Sequence, residues 1–360
     1  MKKILTIIMI LLIVSGCNQK PPTIDSQNQN VEEVVVGANS PFKMLLPATT
    51  SPIRGITVKS DTYFSLNNME DLLLDISADY ISNDLYFSQG NVLTGDDASN
   101  LLNTKLSDEE FAQLVQSDPD AQNIGLNSPD YNLVTTLIEH DFYEGKGDKK
   151  EIKAISIGVG LDTTKYSKVA DGNIDMERLL NHDGKIIANQ IAQVIRAKAG
   201  YETIPICFGF YNQSSNSVVP GVYIAKGEIK SDDENIQSLD SVNQEYVLFL
   251  NESGSQKDLD LNNKIQTLKN DLNSYFGDNV SVNCLGFYQN NKLKNIDIEI
   301  VYDSSSNVEG NAMINFIDNE VNSRLNIDHD YLINVVSPTG SPIACIMKNG
   351  GSVNKVVYKE

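Results

Sequence analysis

The chain has 360 residues and a mass of 39.7 kDa, and its 28 Lys and Arg residues against 48 Asp and Glu residues give a net charge of −20. Hydrophobic residues make up 41% of the chain, an ordinary composition for a globular protein. The acidic balance excludes the basic footprint of a nucleic-acid-binding domain, so no nucleic-acid partner is predicted. Four cysteines are too few for a small fold held together by disulfides.

The amino terminus has the pattern of a secretory signal peptide. Lys2 and Lys3 precede an apolar run, Ile4–Val14. This run is about 11 residues long, whereas a membrane-spanning helix needs about 20. We therefore predict that the run is removed during secretion and forms no part of the folded protein.

The end of this segment resembles a bacterial lipobox. Ser15 and Gly16 are small, and Cys17 follows them. In such a motif the signal peptidase cuts between Gly16 and Cys17, and the cysteine thiol carries a diacylglyceryl group. The alternative is an ordinary signal peptide with a chance cysteine. The lipobox predicts a membrane partner through the lipid on Cys17 and a location on the outer face of the cytoplasmic membrane in a Gram-positive-type envelope. Loss of Lys2 and Lys3 would bring the net charge to −22, so lipid rather than charge would hold the protein there.

The pattern along the chain predicts five segments. Residues 18–40 are rich in Asn, Gln, Pro and Ser, which is typical of a flexible tether, although Val34–Val36 is also compatible with a short strand. The predicted segments are a lipoprotein signal peptide (1–16), the lipidated cysteine with its tether (17–40), a more helical amino-terminal part (41–148), an α+β module (149–230) and a second α+β module with a weaker third unit (231–360).

Three helices are predicted in the amino-terminal part. Asn67–Ser82 has an apolar face, Ser107–Glu110 is a capping box, and Ser128-Pro129 is an N-cap with proline at N1. The third helix is expected to extend to about Tyr143. Gly145–Asp148 breaks the pattern and marks the boundary before the first α+β module.

An internal repeat organises the rest of the chain. Cys207–Tyr211 (CFGFY) matches Cys284–Tyr288 (CLGFY) at an offset of 77 residues, and Gly200 and Gly277 precede the two cysteines by the same distance. Each copy is expected to be a helix, a glycine at the helix end, and two strands. The alternative is a chance similarity over five residues.

Strands are also predicted around these repeats. They give an α+β fold of tandem helix–strand–strand modules with antiparallel sheets, preceded by the more helical amino-terminal part. The predicted strands are 154–161, 221–229, 246–250, 295–302, 331–336, 343–347 and 353–358.

The sequence offers little that is specific to catalysis. Each histidine precedes an aspartate, at His140, His182 and His329. Neighbouring side chains point in different directions on a helix or a strand, so such a dipeptide rarely chelates one ion. Cys207, Cys284 and Cys345 lie in apolar runs and are expected to be buried. No catalytic residue, metal site or cofactor is predicted, and the chain is not predicted to be an enzyme.

Several segments in order resemble the CamS sex-pheromone lipoprotein family of low-GC Gram-positive bacteria (YerH-like proteins). The resemblance implies an α+β ectodomain on a membrane-anchored lipoprotein, and a signal peptide that is a source of a short hydrophobic pheromone. It supplies no catalytic residues. The segments that carry it are Leu45–Pro47, Arg54-Gly55, Gly125–Asn127, Glu139–Tyr143 (EHDFY), Ile204–Ile206, Tyr211–Ser215 with Pro220-Gly221, and Leu272–Phe276.

Three hypotheses for function follow. The leading one is a non-enzymatic surface lipoprotein that acts as a binding or interaction module and as a pheromone precursor. The second is the solute-binding lipoprotein of a transporter, which would need two doubly wound lobes of parallel strands. The third is an extracellular hydrolase.

Overall fold

The computed structural model describes residues 33–35, 41–58, 60–103, 116, 133–164, 166, 169, 172–277, 280–303, 306–325 and 329–358. Within these ranges the chain forms two sheets with helices packed against them.

The first sheet contains eight strands that lie in chain order. β2 and β3 are parallel, as are β5 and β6, and the other neighbours are antiparallel. The strands are β1 (Glu33–Val35), β2 (Lys43–Leu45), β3 (Tyr86–Gln89), β4 (Val134–Glu144), β5 (Glu151–Leu161), β6 (Ile206–Asn212), β7 (Val222–Ile229) and β8 (Asp240–Ser241).

Helices make the two crossovers that the parallel pairs of this half require. α1 (Leu66–Ser77) connects β2 to β3, and its N-cap Ser65 accepts a hydrogen bond from the Asn68 amide. Between β5 and β6 lie α3 (Met176–Arg178), a π-helical segment (Leu179–Asp183) and α4 (Gly184–Arg196). α2 (Gly95–Asn103) follows β3.

Both faces of the central strands are buried. Ile155, Ile157 and Val159 of β5 pack into the core that contains α4. On the opposite face, Ser156 bonds Ser77 of α1 (Oγ–Oγ 2.7 Å), and Gly158 leaves room for the hydroxyl of Tyr223. A sheet covered on both sides gives continuous apolar runs rather than alternation.

The second sheet contains six strands in the order β14-β13-β12-β11-β10-β9. Only β11 and β12 are parallel among the described pairs. The strands are β9 (Gln244–Leu248), β10 (Ser281–Gln289), β11 (Lys292–Val301), β12 (Asp330–Val336), β13 (Pro342–Asn349) and β14 (Ser352–Val357); the helices are α5 (Glu252–Lys257), α6 (Leu259–Phe276) and α7 (Asn307–Glu320), followed by a π-helical segment (Val321–Leu325).

Helices cover one face of this sheet. Ile296, Ile298 and Ile300 of β11 are buried in the core that contains α6 and α7, and the polar residues between them are more exposed. The predicted alternation of β11 is therefore confirmed, since one face of the strand meets the core.

The two sheets share part of a core. Phe287 of β10 is buried among residues of α1 and the first sheet, and its ring lies 4.9 Å from that of Tyr246 in β9. Asn68 of α1 joins both halves: it donates to the Tyr246 hydroxyl (2.6 Å) and accepts from the Tyr211 hydroxyl (2.6 Å).

The predicted α+β class is confirmed, and so is the helix at Asn67–Ser82, observed as α1. The predicted helix over 128–143 is wrong, because Val134–Glu144 is strand β4. This strand is buried on both faces and hydrogen-bonded to β3 and β5. Its apolar residues are therefore continuous, and such a run cannot be distinguished from a buried helix by periodicity. The capping box at Ser107–Glu110 lies outside the described residues.

The predicted helix–strand–strand order is found in both repeats. α4, β6 and β7 form the first, and α6, β10 and β11 form the second, each ending in an antiparallel hairpin. Gly200 and Gly277 follow the helices with φ of 90° and 89°. The strand before each helix differs, since β5 is parallel to β6 whereas β9 is antiparallel to β10. α7, β12 and β13 repeat the order.

Two of the predicted segments have a different structure from the one expected. Glu33–Val35, expected within the tether, is strand β1 and pairs with β2. Gly145–Asp148, expected at a module boundary, lies in the connection of the β4–β5 hairpin. The chain passes from the first sheet to the second between β8 and β9.

Candidate functional site

Two cavities lie beside the middle of β4, under the segment that follows β2. The larger is about 480 Å³ and the smaller about 290 Å³, and both are lined by Met44, Ala48 and Thr49. A cavity of about 300–1,000 Å³ is typical of small-molecule sites. Besides the shared residues, the larger cavity has Leu45, Pro47, Ser88, Asn91, Asp141, Tyr143, Lys150, Glu151, Ile152, Ala199, Gly200 and Tyr201 on its walls.

The larger cavity contains one member of a buried carboxyl pair. Glu139 and Asp141 are two residues apart in β4, so both point to the same face of the sheet. Glu139 accepts hydrogen bonds from the amides of Val92 (2.7 Å) and Leu93 (2.9 Å). Gly90 makes this approach possible, because a Cβ there would lie 2.1 Å from Cγ of Glu139.

The two carboxyls differ in protonation because their partners differ. Two backbone amides stabilise the charged form of Glu139, although burial raises its pKa. Asp141 accepts one amide bond, from Asn91 to Oδ2 (2.8 Å). Burial, followed by the charge of Glu139, raises the pKa of Asp141 to about 9. Asp141 is therefore the neutral acid of the pair at neutral pH, and its carboxyl is hydrogen-bonded to that of Glu139.

Asp141 lines the larger cavity, but its carboxyl already has hydrogen-bond partners. It is 2% exposed, its Oδ2 accepts the Asn91 amide, and its carboxyl is hydrogen-bonded to that of Glu139. The acid proton therefore joins the two carboxyls.

His140 lies on the opposite face of β4 and has unused hydrogen-bonding capacity. It lines the smaller cavity and is 1% exposed, and neither ring nitrogen has a partner among the described residues. Burial lowers the pKa of His140 to about 3, so the imidazole is neutral. Its ring meets Phe87 edge to face at 4.8 Å. The unpartnered group at the smaller cavity is thus uncharged.

The wall of the larger cavity also carries two aromatic side chains. Tyr143 comes from β4, and Tyr201 follows the end of α4. The ammonium of Lys150 lies 4.8 Å from the centre of the Tyr143 ring. The carboxylate of Glu151, on the same wall, lies 2.8 Å from Lys153.

The other His-Asp pairs lie elsewhere. His182 Nδ1 is 2.6 Å from Asp183 Oδ1 in the first π-helical segment, and Asp183 is also bonded by Tyr166 and Arg178. These contacts to the buried Asp183 carboxyl stabilise the irregular helix. His329 is exposed before β12, where Asp330 accepts from the Gly350 amide (3.0 Å). In the described ranges, no group of three or more His, Cys, Asp or Glu residues is arranged to hold a metal ion.

The remaining predicted residues have separate positions. Cys207 and Cys284 are buried free thiols, as predicted, whereas Cys345 is half-buried. Gly16 and Cys17 lie outside the described residues, so their roles stay predictions. The cavities were not predicted. The two carboxyls of the EHDFY segment were not predicted to lie together, because the helix predicted there would separate Glu139 and Asp141 by about 200°.

The fold defines the class of protein: an α+β protein with two helix-covered sheets, in which a buried carboxyl pair lies beside a cavity on β4, an interior strand of the first sheet. The CamS sex pheromone cAM373 precursor family matches residues 49–354. The chain belongs to this family. No curated protein gives a significant match.

Two solved structures have a similar fold. The sex pheromone precursor from Lactobacillus salivarius is 19% identical, with a TM-score of 0.73 over 91% of this chain and 99% of that one. The C-terminal domain of the sex pheromone staph-cAM373 precursor from Staphylococcus aureus is 20% identical, with a TM-score of 0.62 over 82% of this chain and 97% of that one.

Proposed function

We propose that the chain is a precursor with two products. One is a lipoprotein anchored through Cys17 on the outer face of the cytoplasmic membrane, and the other is a hydrophobic peptide from the end of the signal peptide. The ectodomain acts as a non-enzymatic binding module. The observation that carries the binding role is buried His140 on the wall of the smaller cavity, because neither of its ring nitrogens has a hydrogen-bond partner among the described residues.

The anchoring proposal is supported by the order of Ser15, Gly16 and Cys17 after an apolar run. No helix among the described residues is long and apolar enough to cross a membrane. Two acyl chains anchor a protein stably, at about 0.8 kcal/mol for each buried CH₂.

Anchoring is tested by Cys17→Ser. We expect the variant to lose labelling by a radioactive fatty acid and to move from the membrane fraction to the medium or to uncleaved precursor. Ser15→Ala is a matched control, because it keeps a small residue before the cut and should stay in the membrane. Retained lipid on Cys17→Ser would overturn the anchoring proposal.

The peptide proposal rests on Ile10–Gly16, which is uncharged in its side chains and strongly apolar. Such a peptide partitions into membranes and suits a hydrophobic receptor pocket. Mass spectrometry of culture supernatants should detect a fragment from residues 8–16. Its absence in a strain that has abundant mature protein and intact peptide-degrading membrane proteases would exclude release.

The geometry favours binding over the two alternatives. In the described strands, most neighbours are antiparallel, unlike the doubly wound lobes of a transporter's solute-binding protein. For a hydrolase, Glu139 would have to reach substrate, yet both of its oxygens are bonded to backbone amides. Its carboxylate stabilises the 90–93 turn.

A further inference from the structure

The wall of the smaller cavity carries a negative charge that no nearby cation balances. Glu70 and Asp71 of α1 both line this cavity, and its described lining includes no Lys or Arg. Arg54 neutralises Glu70, since its Nε lies 2.8 Å from Oε1 and its Nη2 lies 3.1 Å from Oε2. Asp71 has no such cation among the described residues: burial, followed by the charge of Glu70, raises its pKa. A cation is therefore missing beside Asp71.

His140 gives the same cavity an unused hydrogen-bond acceptor. Its side chain is buried on the cavity wall, and the imidazole is neutral. A neutral imidazole has one N–H group and one unprotonated nitrogen that accepts a hydrogen bond. Because neither ring nitrogen has a partner in the described part of the chain, the unprotonated nitrogen is available to a donor from a ligand.

These groups determine the charge and the shape of a ligand. An anion would be repelled by Asp71, and a neutral molecule would leave the charge of Asp71 unbalanced. A metal ion is not favoured, because no described group of three or more His, Cys, Asp or Glu residues is arranged to hold one. Met44, Leu74 and Phe87 add an apolar surface to a cavity of about 290 Å³. The complement is a small organic cation with an apolar chain.

We propose that the smaller cavity binds a primary ammonium group on a short aliphatic chain. The ammonium has three N–H donors and no acceptor, so it can donate both to the unprotonated nitrogen of His140 and to the carboxylate of Asp71. A free alkylamine and the side chain of a lysine both present this group. The inference rests on the proposed role of the ectodomain as a binding module, and it names the ligand class of that site.

The test is an NMR titration of the full Cys17→Ser chain, labelled with ¹⁵N-histidine, in phosphate buffer at pH 7. The chain has three histidines, so His182 and His329 serve as internal references. We expect n-pentylammonium chloride to shift the ring nitrogens of His140 saturably. Pentyltrimethylammonium lacks the N–H donors and 1-pentanol lacks the charge, so both should bind at least about tenfold more weakly. N-acetyl-lysine-methylamide, titrated in parallel, shows whether a lysine side chain also enters.

Two pairs of variants locate the site without changing a buried side chain. Asp71→Asn should weaken n-pentylammonium binding by at least about tenfold. Asp75→Asn should leave it unchanged, because Asp75 lies one turn further along α1 and does not line the cavity. Thr50→Trp should abolish binding by filling the cavity, whereas Ala199→Trp, on the wall of the larger cavity, should have no effect.

The outcomes separate the ligand class from the binding role. Equal affinity of Asp71→Asn and the parent, or tighter binding of 1-pentanol than of n-pentylammonium, would overturn the ammonium proposal and leave the binding role of the cavity. No response of His140 to any of the probes in the folded chain would overturn both. Neither result bears on anchoring, which is measured by fractionation.

Discussion

Among single residues, Glu139 and Asp141 show how one strand can hold two carboxyls in different protonation states. Like charges in a common buried site cannot both ionise cheaply, so one pKa rises well above its usual range. The two backbone amides at Glu139, against one at Asp141, decide which group keeps the proton. Sequence alone could not show this, because the amide donors come from residues 91–93, almost 50 positions earlier in the chain.

The pair makes stability depend on pH. The folded-state pKa of Asp141 is about 9, above the unfolded value of about 3.9, so the folded protein binds the extra proton. The resulting stabilisation is fully present below about pH 4 and declines as pH rises towards 9. Asp141→Asn removes this proton linkage while it keeps the shape of the neutral acid. We expect the variant to be more stable than the parent at pH 8 by at least about 1 kcal/mol.

Urea unfolding at pH 5, 7 and 9, followed by circular dichroism, measures this effect. Asp330→Asn is a suitable control, because Asp330 is a partly exposed aspartate in a strand of the other sheet. Parallel pH profiles for the parent and Asp141→Asn would contradict the assignment of the proton to Asp141.

Among the strands and helices, local sequence patterns predicted the strands that have one buried face. The strands of the second sheet have apolar residues on the side that faces the helices, and the predicted strands at 295–302, 331–336 and 343–347 are confirmed. β4 was missed because its residues are buried on both faces and carry no alternation. β1 and β2 have three residues each, too few to produce a pattern.

The repeated CxGFY motif also has a packing explanation. Gly209 of β6 lies against the ring of Tyr223, since a Cβ there would be 2.6 Å from Cε1. Gly286 of β10 lies against Phe249 in the same way, at 2.8 Å from Cε2. Each glycine therefore leaves room for an aromatic ring to pack directly against the strand backbone. The sequence showed the repeated glycine, but the ring that fills the space comes from a different partner in each copy.

Replacing Gly209 by alanine should therefore be costly. The added methyl group would displace Tyr223, whose hydroxyl donates to the Met69 carbonyl (2.9 Å), and overpacking of this kind costs about 1–3 kcal/mol. Gly95→Ala is the control, because the nearest atom to its added Cβ is 3.5 Å away. Urea unfolding should show a loss for Gly209→Ala and a change within about 0.5 kcal/mol for Gly95→Ala. Equal stability of the two variants would show that Tyr223 moves aside freely.

In the whole molecule, the two sheets are joined by few but buried contacts. Phe287 extends the core of the first sheet, and Asn68 bonds tyrosines from both halves. These contacts are long-range in sequence, so no local pattern could have predicted them. They place α1 between the two sheets and make cooperative unfolding the expected behaviour.

Phe287→Ala tests this coupling. Phe287 is 6% exposed and contacts Tyr246 across the junction, so its truncation should cost about 3–5 kcal/mol and weaken the link between the sheets. Phe249→Ala is the matched control, because Phe249 is buried within the second sheet's own core. Scanning calorimetry of the non-lipidated Cys17→Ser chain should give one transition, with equal calorimetric and van 't Hoff enthalpies. In that background Phe249→Ala should keep one transition at lower temperature, whereas Phe287→Ala should separate two. Two transitions in the parent, or one unchanged in shape for Phe287→Ala, would mean that the junction does not couple the sheets.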